Sequence, residues 1–159
     1  MSRSGADLAL LLLGGFRGLV DAATEELARR GYQDVRPVHD FAMRAIAAGA
    51  DSASDLGRNL SVAKQSAAKT IAVLVERGYV IREPDPHDAR RKRLQVTPLG
   101  FEVMREGEAI FDELRIRWQR QLGTAEFANF EGQLAKLVGA GSVRFDTPGW
   151  MARGLDGSA

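Results

Sequence analysis

Apolar residues recur with a helical period along most of this chain and with a strand period in one short window. Leu8, Leu12, Gly15, Leu19 and Ala22 stand at alternating gaps of four and three, on one face of a helix predicted over residues 4–30. Leu11, Phe16 and Val20 widen that face beyond a stripe, so the helix needs cover on more than one side, and a partner subunit is its natural supplier. Ser4 is the candidate cap and Gly31 the stop; Gly14 and Gly15 cost helix propensity and permit a close crossing or a bend. A second helix, residues 37–48, opens on Pro37 and turns Phe41, Ala45 and Ile46 inward, with Met43 and His39 on neighbouring faces. Ser52 caps a third helix, with Asp55 three residues on, and Leu56 and Leu60 are its buried positions. After a turn at Ser61 and Val62, a fourth helix reaches Arg77, buries Ala67, Ile71, Leu74 and Val75, and stops at Gly78.

The period then changes. Tyr79-Val80-Ile81 is β-rich and Leu94-Gln95-Val96 alternates, so the two pair as a hairpin. Between them Glu83-Pro84-Asp85-Pro86-His87-Asp88 forms a turn cluster, followed by Arg90-Arg91-Lys92-Arg93. Thr97 caps a fifth helix with Pro98 at its first position; Val103, Ile110, Leu114, Trp118 and Leu122 mark its apolar side. Thr124 caps a sixth, where Phe127, Phe130, Leu134 and Leu137 make a seam for another helix. From Gly139 onward Gly, Ser and Pro dominate, which predicts a loose tail with Trp150 available to pin it. The whole is mainly α with a small β-hairpin wing. Two short helices, a tight turn and an arginine-crowded hairpin are the plan of a winged helix-turn-helix, a device for holding double-stranded DNA.

Composition narrows the chemistry. At 159 residues the chain fits one domain, or one domain elaborated by extra helices, and 45% apolar content allows a real core. Cysteine is absent, which excludes disulfides, thiolate nucleophiles and cysteine–zinc sites. Two histidines leave little for a metal site, and no cofactor is expected. His39-Asp40 lacks a nucleophile or glycine-rich loop to complete a catalytic site, so an enzyme is not expected. Residues 58–93 hold nine basic and four acidic side chains, a charge of +5 in a chain whose net charge is only +1. A basic segment in an acidic remainder points to a localised polyanion-binding face. The apolar run at residues 8–13 is flanked by Asp7 and interrupted by Arg17, and falls far short of the roughly 18 apolar residues a membrane span needs. A cytoplasmic chain with no membrane partner is expected.

Several motifs carry a resemblance to a known family. They are S-x-S-D-L-G-R-N-L from Ser52, K-Q-S-A-A-K from Lys64, L-V-E-R-G-Y-V-I-R-E-P-D-P-H-D-A-R-R-K from Leu74, and L-x-V-T-P-L-G from Leu94. Residues 56–100 thus resemble the core of the MarR family of bacterial transcriptional regulators, most specifically in the wing pattern D-P-H-D-A-R. Ala63 departs from the family, which usually has a capping Ser or Thr there; Ser61 is the alternative cap. The resemblance implies a homodimer with interleaved terminal helices, two winged lobes on a pseudo-palindromic operator, and a small, often aromatic, ligand whose binding usually releases DNA. It divides the chain into an N-terminal dimerisation helix (residues 1–36), a DNA-binding lobe (37–97), C-terminal dimerisation helices (98–138) and a tail (139–159).

Candidate contacts follow. Lys64, Gln65, Ser66 and Lys69 stand at the start of the recognition helix, where Gln65 suits adenine and Lys64 guanine. A merely solvated helix face is the alternative, and the adjacent turn and wing favour DNA. Arg90, Arg91 and Arg93 suit a minor groove or phosphates; the alternative is that one pairs with Asp88 or Asp85 to stiffen the loop. By resemblance Asp88 and Arg90 form the family's D-x-R pair, which stabilises the wing, with Arg90 in the groove and Arg91 on a phosphate. Ser52 and Ser54 are phosphate donors, although capping alone explains Ser52. The resemblance assigns Phe16, Tyr32, His39, Met43, Phe111 and Trp118 to an effector cleft, with ordinary core packing as the alternative. The expected partners are double-stranded DNA, a second copy of the chain and a small-molecule effector. A winged-helix module used for protein contact is the competing function.

Overall fold

Ser4 and Asp7 start the described structure by exchanging bonds: the Asp7 N–H donates to the Ser4 hydroxyl at 3.1 Å, and the Ser4 N–H donates to the Asp7 carboxylate at 2.9 Å. This capping box satisfies two of the orphan donors at the head of a 25-residue helix, α1 (Gly5–Arg29). The computed structural model describes residues 4–139, so the expected tail and Trp150 lie outside the described residues. After α1 come α2 (Pro37–Ala47), α3 (Ala53–Leu60), α4 (Lys64–Glu76), β1 (Val80–Pro84), β2 (Lys92–Val96), α5 (Pro98–Leu122) and α6 (Thr124–Val138). The strands pair antiparallel from Val80 opposite Val96 to Pro84 opposite Lys92. The chain is a mainly helical winged helix-turn-helix with long terminal helices, as its pattern predicts.

One core runs through the lobe. Leu56, Ala67, Ile71, Leu74 and Val80 are fully buried, and Leu60, Phe41 and Ile46 nearly so. Gly100 lets α5 leave the hairpin beneath them: a Cβ there would sit 2.3 Å from the Tyr79 carbonyl oxygen. Thr97 caps α5 by accepting the Gly100 N–H at 3.1 Å, and donates its own hydroxyl to the Gly78 carbonyl at 2.5 Å. Polar clamps join α1 to α5. Arg30 reaches Glu106 at 2.8 Å and Glu113 at 3.0 Å, and the Tyr32 hydroxyl bonds Glu102. Phe127 is the buried anchor of α6, under the Arg115 guanidinium 5.4 Å from its ring centre.

Five details differ from the pattern-based expectation. Val75 is 36% exposed, because it lies a further 100° round the helix from Leu74, past the edge of the buried stripe. Ser61 does not cap α4; at φ +52° it closes α3, and Ala63 precedes Lys64 in extended conformation with no side-chain cap. Glu83, Pro84, Lys92 and Arg93 belong to the strands, which leaves a shorter loop at the wing. Gly123, not Thr124, is the residue before α6. His39 and Met43 do not sit beside the core but in it, at 6% and 0% exposure.

The terminal helices present a different surface. Leu8, Leu10, Leu11, Leu12 and Leu13 of α1 are 41–65% exposed, and Leu137 of α6 is 85% exposed. None of the described helices is long and apolar enough to cross a membrane.

Candidate nucleic-acid interface

The helix-turn-helix is held tight by backbone. The Val62 N–H donates to the Gly57 carbonyl at 3.0 Å, and a Cβ on Gly57 would stand 3.0 Å from the Val62 carbonyl oxygen. That close approach, with the left-handed Ser61, fixes the angle at which α4 leaves α3. Since Ala67, Ile71 and Leu74 are fully buried, the opposite face of α4 must point out. Lys64, Gln65, Ser66, Ala68 and Lys69 are all exposed on it. The absence of a side-chain cap leaves N–H groups at the start of α4 unsatisfied beside two cations, a setting that favours an anion.

At the start of α3, the Ser52 hydroxyl accepts the Asp55 N–H at 3.2 Å. Capping uses the oxygen as acceptor, so the hydroxyl hydrogen stays available to a phosphate. Ser54 lies in the first turn, half-buried.

The wing loop folds on two aspartates. The Asp85 N–H closes it by donating to the Arg91 carbonyl at 2.8 Å, and Asp85 Oδ1 accepts the His87 N–H at 2.8 Å. That bond holds the Asp85 carboxyl below the usual carboxylate range. Asp88 Oδ1 accepts the Arg90 N–H at 3.0 Å, an Asx turn. The Asp88–Arg90 contact is therefore to the backbone of Arg90 and not to its side chain. The three arginines consequently part company. Arg90 is exposed at the tip, with no ion pair to its guanidinium among the described residues. Arg91 is paired with Asp51 at 2.8 Å, which straps the wing to the head of α3. Arg93 is half-buried in β2 opposite Glu83; with the Gln95 amide turned so that its oxygen faces Arg93, that oxygen accepts from the guanidinium at 2.6 Å. The Asp51–Arg91 strap spans 40 residues and left no local signal in the sequence.

Between the lobe and the terminal helices lies a cleft of about 680 Å³. Its walls are mostly apolar, from Phe16, Val20 and Leu27 of α1, Val35 and Phe41 near and in α2, and Val103 and Phe111 of α5. A polar edge crosses it. Arg44 bridges Asp40 at 2.7 Å and Glu108 at 3.0 Å, and burial pushes the Asp40 carboxyl up despite that pairing. Of the six residues expected at an effector site, Phe16 and Phe111 line the cleft. The other four do not. His39 and Met43 are core residues, Tyr32 is turned to Glu102, and the Trp118 ring packs over Gly15. His39 accepts the Arg36 N–H through Nδ1 at 3.1 Å, and burial first, then Arg77, lowers its pKa. The cleft residues missed in the sequence, Asp40, Arg44 and Glu108, belong to a pattern indistinguishable from solvated helix charges until α2 and α5 are packed.

Comparison with known proteins adds to this geometry. A family model described as "MarR family" matches residues 41–91, from the first buried aromatic of α2 to the end of the wing. No curated protein matches the chain. Among solved structures, the reduced form of MarR from E. coli is 20% identical, with a TM-score of 0.66 over 87% of this chain and 99% of that one. A point mutant of S. aureus MepR is 18% identical, with a TM-score of 0.68 over 86% and 97%. A second MepR mutant, bound to an oligodeoxyribonucleotide, is 18% identical, with a TM-score of 0.61 over 82% and 95%. Identities this low establish a shared fold. With the matched core and wing, they make this chain a member of the MarR family of winged helix-turn-helix regulators.

Proposed function

We propose that the protein is a sequence-specific DNA-binding transcriptional regulator. It acts as a homodimer on a pseudo-palindromic operator and represses until a small, apolar ligand releases it. The observation that carries this reading is α4. One face is wholly buried while Lys64, Gln65, Ser66 and Lys69 stand exposed on the other, beside a wing whose Arg90 guanidinium has no ion pair among the described residues. A small, polar, cationic helix face suits a major groove, and an arginine at a wing tip suits the adjoining minor groove. Arg91 and Arg93 serve the wing's shape in this reading, with Arg91 also within reach of a phosphate; Ser52 and Ser54 face the backbone from α3.

The exposed apolar faces of α1 and α6 support the dimer. Burying five leucines of α1 against a second copy would make residues 1–36 and 98–138 the dimerisation region and residues 37–97 the DNA-binding lobe. The cleft supports the ligand, since about 680 Å³ with apolar walls and a polar edge is ordinary for a small-molecule site. A DNA-bound role places the protein in the cytoplasm.

Selection of duplexes from a random-sequence pool tests the reading. The expected result is an inverted repeat whose half-sites lie about one helical turn, roughly 10 bp, apart. A pool with no enrichment after repeated rounds would overturn sequence-specific binding and favour a protein-contact module.

A further inference from the structure

Arg77 stands just beyond the last residue of α4, and its guanidinium turns away from the lobe. Nη1 donates to the Asp34 carbonyl at 2.8 Å and to the Gln33 carbonyl at 3.2 Å, while Nη2 lies 3.4 Å from the Asp34 carboxylate. A planar guanidinium held at three points is a stiff grip. What it grips is the connector between α1 and α2. The next residues of that connector, Val35, Arg36 and Pro37, are a wall of the cleft.

We propose that Arg77 is the positioning residue through which an occupied cleft moves α4. The inference rests on the reading of α4 as the DNA-reading helix and of the cleft as the ligand's site. The connector is not a free loop. Asp34 holds φ +51°, a conformation that a residue with a side chain keeps only where its surroundings enforce it. Arg36 pairs with Asp34 at 3.0 Å, the Arg36 N–H is fixed on His39, and Val35 is 5% exposed. A molecule that displaces Val35 or Pro37 must therefore shift Asp34, and Asp34 carries Arg77 with it. The helix converts a small shift into a larger one. At about 1.5 Å per residue, Lys64 lies about 20 Å from Arg77, so a tilt of roughly 10° moves it by about 3 Å, enough to break a hydrogen bond.

The natural absence of cysteine makes the test direct. Gly107 lines the cleft, and an added Cβ there meets nothing within 4 Å. Gly107→Cys places a single thiol in the cleft, and alkylation with N-phenylmaleimide fills it with an aromatic group. DNA affinity is measured before and after alkylation, on the selected duplex, with Arg77 and with Arg77→Gln. Alkylation should weaken binding at least tenfold with Arg77 and less than about twofold with Arg77→Gln, whose amide is too short for the grip; the difference lies within the usual range of coupling between sites. Arg77→Lys keeps one donor for the Asp34 carbonyl and should recover part of the response; it also carries the test if Arg77→Gln loses DNA binding before alkylation. An equal loss in the Arg77 and Arg77→Gln chains would overturn the role of Arg77 and leave the ligand reading standing. No loss in the Arg77 chain would overturn the ligand reading, and this proposal with it.

Discussion

The winged-helix lobe and the terminal helices bury their apolar residues by different means. In the lobe, Leu56, Ala67, Ile71, Leu74 and Val80 are completely covered by the lobe's own chain. In α1, five consecutive or near-consecutive leucines stay 41–65% exposed although the helix is well capped and pinned to α5 through Arg30. The lobe is thus complete as a single chain and can spend its outer surface on charge. The terminal helices are complete only with something laid against them. On the proposed reading that something is a second copy, and the division of labour is the mechanism: the self-sufficient lobe touches DNA, and the unfinished arms set the spacing between two lobes.

Four experiments break or sharpen that contrast. The largest effect is expected at the lobe's outer face. Lys64→Glu combined with Lys69→Glu should abolish specific and non-specific DNA binding together in fluorescence anisotropy; retained tight binding would take α4 out of the interface. Leu8→Glu with Leu12→Glu should shift sedimentation from dimer to monomer and lower DNA affinity by about a hundredfold, because one half-site then binds alone. An intact dimer after that change would mean that these leucines are not its interface. Inside the lobe, Leu74→Ala should cost about 2–5 kcal/mol in urea unfolding, the usual loss for a fully buried leucine. The smallest effect belongs to the wing tip. Arg90→Ala should leave the fold unchanged and flatten the slope of log affinity against log salt by about one, as the loss of one phosphate or groove cation predicts. An unchanged slope would place Arg90 outside the interface.

What the sequence announces and what it hides separate along the same line. Caps are written locally: Ser4, Ser52 and Thr97 each accept an N–H three residues on, and each is legible from its neighbours. The hairpin and the aspartate-folded wing are likewise short-range, and the motif that carries the family resemblance sits there. Contacts between distant elements leave no such trace. Arg91 reaches Asp51 across 40 residues, and Arg77 reaches Asp34 across 43, yet in sequence both arginines read as free members of one basic run. Part of that run's positive charge is thus committed to holding the lobe together. The cleft was only partly legible for the same reason. Phe16 and Phe111 were visible as surplus aromatics, whereas His39 and Met43 share their helix with true lining residues and fall inward by a rotation that only packing decides. Val75 shows the limit of periodicity itself: one residue past Leu74 is enough to reach solvent.

The most direct measurement is a mobility shift comparing the selected duplex with a scrambled duplex of equal length and composition, at low and near-physiological salt. The account predicts a preference for the selected duplex of at least about a thousandfold that persists at the higher salt, since base contacts survive when phosphate contacts are screened. Equal affinity for both duplexes, falling in parallel as salt rises, would contradict it and leave only a polyanion-binding surface.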